Sequence, residues 1–153
     1  MDGRERCALR IVIATRSATE ADLDEIWRIQ SASGQAAQWK PSDYLSHRCL
    51  VATVDERVAG FAVARNATPD ELEILNIAVD LPFRRRGIGR LLIQSLLANY
   101  TGSTFLEVRE SNLAARKLYH SLGFEAVAVR KDYYNSSGES AIVMKFHSCY
   151  GHK

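Results

Sequence analysis

Residues 79–90 read Val79-Asp80-Leu81-Pro82-Phe83-Arg84-Arg85-Arg86-Gly87-Ile88-Gly89-Arg90, a basic, glycine-containing turn between an apolar strand and an apolar helix. Glycines let successive backbone N–H groups approach an anion, a helix N-terminus adds partial positive charge, and arginines add full charges. The segment therefore predicts an anion cradle built from Arg84, Arg85, Arg86, Gly87, Ile88, Gly89 and Arg90. The plainer alternative is that Gly87 and Gly89 only shape a turn whose arginines form a solvated face. A Walker phosphate loop is excluded, because it ends Gly-Lys-Ser/Thr and here Gly89 is followed by Arg90-Leu91. The dinucleotide fingerprint does not fit either: Leu92 replaces its third glycine, although Glu107 stands at the spacing expected of a ribose contact.

Further along the chain, Glu107 lies on a strand leading towards the same side of the fold as this turn. Its plain alternative is a strand glutamate paired with an arginine. Glu73, one strand earlier, is a reserve carboxylate. Asn112 and Tyr119 are seven residues apart, two helical turns, so their side chains share one stripe and can face one ligand. Each also has a plain role, Asn112 as an N-cap and Tyr119 as a core aromatic. His147, Cys149 and His152 offer metal-ligand types near the C-terminus without a fourth ligand, so no metal is expected. Cys49 near His47 lacks an orienting third group, and a buried thiol is expected there.

The elements that must position these residues follow from periodicity. A first strand is expected over Leu9 to Ala14, then a helix signalled by Thr19 and Asp22 ahead of Leu23, Ile26, Trp27 and Ile29. A short helix is expected near Pro41 or Ser42. Leu50 to Val54 and Val58 to Ala64 flank a turn at Asp55-Glu56-Arg57, and Glu71 to Val79 is a further strand. The stripe Ile88, Leu91, Leu92, Ser95, Leu96, Asn99 predicts a helix over 88–100. Thr104 to Val108 reads as a strand, and Ser111 or Asn112 caps a helix to about His120 that Gly123 stops. Two last strands, about Ala126 to Lys131 and Ala141 to Phe146, flank Asn135-Ser136-Ser137-Gly138. One strand–helix–strand crossover between hairpins makes this an α/β fold with a mixed sheet.

The 153 residues suit a single domain, with a flexible tail expected over about 147–153. With 46% hydrophobic and 25% charged residues, and only 9 glycines and 3 prolines, the chain is neither disordered nor collagen-like. A formal charge of +2 does not mark a nucleic-acid binder. Three scattered cysteines exclude a disulfide framework, and no apolar run is long enough to span a membrane. A cytoplasmic protein is expected, with no direct nucleic-acid or membrane partner.

Arg84-x-x-Gly87-x-Gly89 resembles the Arg/Gln-x-x-Gly-x-Gly/Ala signature of GCN5-related N-acetyltransferases (GNATs). The segments Ile74 to Asp80, Leu106 to Asn112, Lys117-Leu118-Tyr119, Gly123-Phe124 and Arg130 to Tyr134 together resemble the RimI family of ribosomal-protein-alanine N-acetyltransferases. The resemblance implies the GNAT fold, a mixed, mostly antiparallel sheet of six to seven strands flanked by about four helices. It implies acetyl-CoA as co-substrate, bound by residues 84–90 with its pyrophosphate on residues 85–90. Its pantetheine arm would lie beside Asn112 and on backbone groups of Ile77, Ala78 and Val79, one of whose N–H groups meets the thioester carbonyl. Glu107 resembles the family's catalytic base, and Tyr119 its proton donor to sulfur. Tyr133 and Tyr134 would hold the first residues of an acceptor protein N-terminus. The implied acceptor is the terminal alanine of small-subunit ribosomal protein eighteen, or alternatively a broader set of protein N-termini or a small amine; a CoA-binding module without turnover is the remaining alternative. Trp39-Lys40-Pro41-Ser42 only approximates the family's early Pro-Trp-Ser segment.

Overall fold

The computed structural model describes residues 11–148 except 35, 37, 38 and 135–137, and for residues 132–134 the backbone alone. Seven strands form one sheet: β1 (Ile13–Ser17), β2 (Arg48–Val54), β3 (Arg57–Thr68), β4 (Glu71–Val79), β5 (Ser103–Arg109), β6 (Glu125–Tyr134) and β7 (Glu139–His147). Their order is β1-β2-β3-β4-β5-β7-β6. All neighbours are antiparallel except β4 and β5, which a right-length crossover joins through a helix. The described α-helices are α1 (Leu23–Ala32), α2 (Ile88–Leu97) and α3 (Leu113–Ser121), with short 3-10 helices at Glu20–Asp22, Pro41–Ser46 and Leu81–Phe83. This is the expected mixed, mostly antiparallel α/β sheet.

Each face of the sheet buries its own apolar layer. Beneath α2 and α3 lie Leu50, Ala62, Leu72, Leu106, Phe124 and Met144 with Leu92, Ile93 and Leu96 of α2. Beneath α1 and the 3-10 helix Pro41–Ser46 lie Val51, Phe61 and Val63 with Ile26, Ile29 and Tyr44. On α1 the buried stripe is Ile26, Ile29 and Gln30, which is i, i+3, i+4; Trp27, expected on that stripe, falls outside it and is 52% exposed.

Several boundaries differ from those expected. The first strand starts later, at Ile13, and residues 9 and 10 of the expected strand lie outside the described residues. Helix α2 stops at Leu97, not 100, because Asn99 takes a left-handed conformation (φ 63°). Arg48 then donates to the carbonyls of Leu96 (2.9 Å) and Ser95 (3.0 Å), placing a cation at the helix C-terminus. The β2–β3 turn is Asp55-Glu56 alone, both at positive φ, and Arg57 already belongs to β3. At the C-terminal end His147 closes β7 and its Nδ1 lies 2.8 Å from Ser103 Oγ, so the strand takes a residue assigned to the tail; Cys149 and His152 lie outside the described residues. Cys49 is buried and free, its thiol pushed up to about 12 by burial, as suits a core residue.

The β4–β5 parallel pair begins at a tight point. Asp70 C=O accepts from Ser103 N–H (3.0 Å), and a Cβ on Gly102 would run into that same carbonyl. Gly102→Ala should therefore destabilise the protein by about 2 kcal/mol or more, a fall of roughly 4–8 °C in Tm for a domain of this size. Thermal unfolding followed by circular dichroism checks this, and an unchanged Tm would refute the assigned contact.

Candidate active site

The site originates in one irregularity of β4. Val63 of β3 pairs with Asn76 and Ala64 pairs with Ile74, so Leu75 is an extra residue, a β-bulge. Before the bulge, Leu72 and Ile74 pack into the layer beneath α2 and α3. After it, Ile77 and Val79 turn to that layer, whereas Leu75 and Ala78 pack beneath α1. The bulge also ends the pairing with β5: the parallel register runs from Glu71–Ser103 to Ile74–Leu106 and no further. Beyond that point the two strands part, and a cleft of about 740 Å³ opens between them. That volume suits a small-molecule site.

The cleft-facing edge of β4 follows from the ladder on its other side. Asp80 N–H donates to Ala59 C=O (2.8 Å). In an antiparallel ladder bonded and non-bonded pairs alternate, so Ala78 and Asn76 direct their N–H and C=O to β3 while Ile77 and Val79 direct theirs to the cleft. Ala78 lines the cleft, with its backbone groups turned to β3. Of the cleft-facing groups, Ile77 N–H donates to Asn76 Oδ1 (3.0 Å) and Val79 C=O accepts from Arg84 Nε (2.9 Å). Val79 N–H and Ile77 C=O face the gap that a neighbouring strand would fill.

At the far end of β4 the chain turns through Leu81–Phe83 into α2. Gly87, at φ 77°, is the N-cap of α2, a conformation that favours glycine, and Arg85 shares the positive-φ region at 64°. Gly89 faces the cleft wall, where a Cβ would stand 3.4 Å from Leu118 Cδ2 and 3.8 Å from Val79 Cγ2. Arg84, Arg85 and Arg90 line the cleft with Gly87, Ile88 and Gly89. Arg86 does not: its guanidinium lies over the Phe83 ring, 5.6 Å from the centroid. Arg90 also donates to Ser121 Oγ (2.7 Å), bracing α2 against the end of α3. No ion pair neutralises Arg84, Arg85, Arg86 or Arg90 among the described residues. This end of the cleft can hold a multiply charged anion against arginine charge and the first amides of α2.

The other end, where β4 and β5 part, carries side chains able to take up or give a proton. Glu107, on β5, lines the cleft with its side chain 25% exposed, and its Oε1 is 3.1 Å from Arg130 Nε of β6. The plain alternative for Glu107, pairing with an arginine, is therefore present, and cleft access is present with it. Glu73 lines the cleft as well and pairs with Arg65 (3.2 Å). From α3, Asn112 and Tyr119 both reach the cleft, as their spacing required. Asn112 is also the N-cap, its Oδ1 accepting from Ala115 N–H (3.3 Å). Tyr119 also packs on Phe124 at 5.9 Å. Burial pushes its phenol up to about 12, so it is a proton donor throughout the physiological range.

Tyr133 and Tyr134 end β6, and their side chains lie outside the described residues. The backbone of Tyr134 pairs with Glu139, which clamps the hairpin to the rim of the cleft: its Oε1 accepts from Ser111 N–H (2.7 Å) and its Oε2 lies 3.6 Å from Arg109 Nη1. Hydrogen bonds from Ser111, with Arg109 adding its charge, hold the Glu139 carboxyl below the usual carboxylate range.

Sequence reasoning missed the wall opposite α3. Gln30 of α1, Tyr44 of the 3-10 helix and Asn76 of β4 meet in a buried polar cluster, with Tyr44 Oη donating to Gln30 Oε1 (2.6 Å) and Asn76 Nδ2 donating to Gln30 Oε1 (3.1 Å) and reaching Tyr44 Oη (3.0 Å). Gln30 Nε2 donates to the carbonyl of Trp39, whose side chain lines the cleft. The available signal was Asn76 itself, a polar residue inside an otherwise apolar run. A second link joins α1 to the turn after β4: Arg28 Nη2 is 3.0 Å from Asp80 Oδ2 and 2.7 Å from Glu25 Oε2.

Comparison with known proteins gives the family and the fold. The model of the acetyltransferase (GNAT) family matches residues 17–124. A ribosomal protein bS18-alanine N-acetyltransferase of Salmonella typhimurium is 37% identical over 134 residues, 80% of this chain and 89% of that protein. Among solved structures, the ribosomal-protein-S18-alanine N-acetyltransferase from Escherichia coli superposes with TM-score 0.77 at 31% identity, covering 88% of this chain and 93% of that one. Ard1 from Thermoplasma volcanium superposes with TM-score 0.78 at 30% identity, covering 89% and 97%.

The Tyr119 phenol gives a direct test of the site's electrostatics. Because its pKa is raised in the folded state, the native protein keeps this proton while the unfolded chain loses it near pH 10, so stability is lost as pH rises from 10 towards 12. Ultraviolet titration to pH 11 should find equal numbers of phenolates in the wild type and in Tyr119→Phe. One phenolate fewer in the variant would mean that Tyr119 titrates normally.

Proposed function

The chain belongs to the acetyltransferase (GNAT) family as an N-acetyltransferase of the RimI type, and from that premise we propose that it transfers the acetyl group of acetyl-CoA directly to a protein α-amine, the terminal alanine of ribosomal protein bS18. The observation that carries this reading is the parting of β4 and β5. It leaves Val79 N–H and Ile77 C=O facing an open strand position, and that position runs straight into a glycine turn whose arginines have no carboxylate partner among the described residues. A pantetheine arm has amides that can occupy such an edge in the manner of an added strand. Its pyrophosphate then falls at Gly87–Arg90, and its thioester points to where the strands divide.

Acetyl-CoA supplies an activated acyl group; the protein supplies position and proton transfer. Of the two cleft-facing amides, Ile77 N–H lies nearer the division, so it is the donor to the thioester carbonyl oxygen as negative charge grows there. Glu107, on β5 at the division, takes the proton of the attacking amine directly or through water. Arg130, with Nε 3.1 Å from Oε1, fixes that carboxylate in direction. Tyr119 gives its proton to the departing sulfur from the α3 wall. The acceptor approaches from the side of Trp39 and the β6–β7 hairpin, where Tyr133 and Tyr134 hold its first residues. An α-amine, with a pKa near 7.7–8.0 against about 10.4 for lysine, offers roughly a few hundred times more neutral nucleophile at pH 7, a task suited to one carboxylate. The reading places the enzyme in the cytoplasm with its substrate; no helix among the described residues is long and apolar enough to cross a membrane.

Three outcomes test the proposal. In Gly89→Val the added methyls meet Leu118 and Val79 at the cleft wall, and calorimetry should find acetyl-CoA bound at least roughly tenfold more weakly, about 1.4 kcal/mol. Unchanged affinity in a folded variant would remove the pyrophosphate assignment. Glu107→Gln and Tyr119→Phe should each lose ~10²–10⁴ in turnover while still binding acetyl-CoA; near-native rates with chemistry rate-limiting would reassign both roles. For the acceptor, mass spectrometry should detect faster acetylation of a peptide beginning Ala-Arg-Tyr than of the same peptide blocked at its α-amine and carrying an internal lysine. Faster modification of the blocked peptide would overturn the α-amine assignment. Equal rates on peptides with unrelated first residues would replace the bS18 acceptor by a broad set of N-termini.

A further inference from the structure

Asn76 stands directly after the β4 bulge, 6% exposed, in the run Ile74-Leu75-Asn76-Ile77. The orientation of its carboxamide is set by its neighbours: Nδ2 lies against Gln30 Oε1 (3.1 Å) and Tyr44 Oη (3.0 Å), so Oδ1 is turned to β4's own backbone. There it accepts from Ile77 N–H at 3.0 Å. Ile77 N–H is the cleft-facing donor nearest the point where β4 and β5 part, the group assigned above to the thioester carbonyl. One N–H does not bond strongly to two oxygens at once.

We propose that Asn76 is a positioning residue that holds Ile77 N–H through its Oδ1 and yields it to the thioester carbonyl of the acyl donor. The proposal rests on acetyl-CoA being that donor. The carboxamide oxygen of Asn76 and the thioester oxygen, the weaker acceptor of the two, compete for one N–H, so binding the acetyl group exchanges one neutral hydrogen bond for another no stronger and contributes little to ground-state affinity. As the carbonyl oxygen gains negative charge its bond to Ile77 N–H becomes charge-assisted, roughly twice as strong, and Asn76 Oδ1 no longer competes. The exchange thus keeps the interaction for the transition state rather than for donor binding. Through Gln30, which donates to the Trp39 carbonyl, the same carboxamide is tied to the wall on the proposed acceptor side.

The test compares the dissociation constants of CoA and acetyl-CoA by calorimetry in the wild type, Asn76→Leu, Asn76→Ala and Tyr44→Phe, with thermal melts to confirm folding. Removing Asn76 Oδ1 leaves Ile77 N–H unpaired until the acetyl carbonyl meets it, so the preference for acetyl-CoA over CoA should rise roughly fivefold, the equivalent of one net hydrogen bond. Asn76→Leu matches the carboxamide in shape, and Asn76→Ala carries the test if the leucine variant does not fold. Tyr44→Phe loosens the cluster without touching Ile77 and should leave the ratio unchanged. A purely structural Asn76 would weaken both ligands alike, and that unchanged ratio overturns the proposal, as does an equal rise in Tyr44→Phe. Failure of the wild type to bind either ligand would refute the acetyl-CoA donor instead.

Discussion

Everything the cleft does depends on β4 and β5 being forced apart in the middle of a continuous sheet. An unsatisfied strand edge inside a fold is costly, because each buried N–H or C=O without a partner loses about 1–3 kcal/mol. The chain meets part of this cost internally: Asn76 Oδ1 receives Ile77 N–H, and Arg84 Nε reaches back to Val79 C=O. What is left facing the cleft is a two-point edge, Val79 N–H and Ile77 C=O, matched to the amides of an extended ligand. A single inserted residue, Leu75, creates both the divergence and the change of facing that brings Ile77 and Val79 to the cleft.

The same constraint orders the charges. The strand end nearest α2 opens onto arginines without carboxylate partners, whereas the divergence is flanked by Glu73 and Glu107, each paired with an arginine outside the cleft, Arg65 and Arg130. A ligand with a phosphate end and a neutral reactive end can lie in only one direction along such a cleft. Rigid elements hold that direction. Arg28–Asp80 fixes the start of the turn from α1, Arg90–Ser121 fixes α2 against α3, and Glu139 ties the terminal hairpin to the loop after β5. Glu107 and Tyr119, the groups proposed to move protons, are thereby mounted on a strand and a helix.

Much of this was legible in the residues because local chemistry dictated it. Apolar runs marked β2 to β5 and β7, Gly87 and Gly89 marked the turn into α2, and the spacing of Asn112 and Tyr119 put both on one stripe. What was not legible depends on tertiary register. The bulge at Leu75 has no residue signature, so the reversal of facing between Ile74 and Ile77 was invisible, and with it the turning of Ala78's backbone to β3. Trp27 looked like a core residue by hydrophobicity, yet Gln30 takes the buried place because its carboxamide meets Asn76 and Tyr44. Arg84 and Arg86 looked equivalent, but one supports β4 and the other stacks on Phe83. Asn99 continued an apolar stripe while its left-handed backbone ended the helix.

The central claim is that a donor thioester completes the sheet along β4 with its charged end on the α2 turn. Amide hydrogen exchange resolved by residue tests it most directly, in the free protein and with saturating acetyl-CoA. The account predicts that protection rises at Val79 and across residues 87–90, with β1 and β2 unaffected. Protection that rises elsewhere while Val79 and the turn exchange as in the free protein would contradict it.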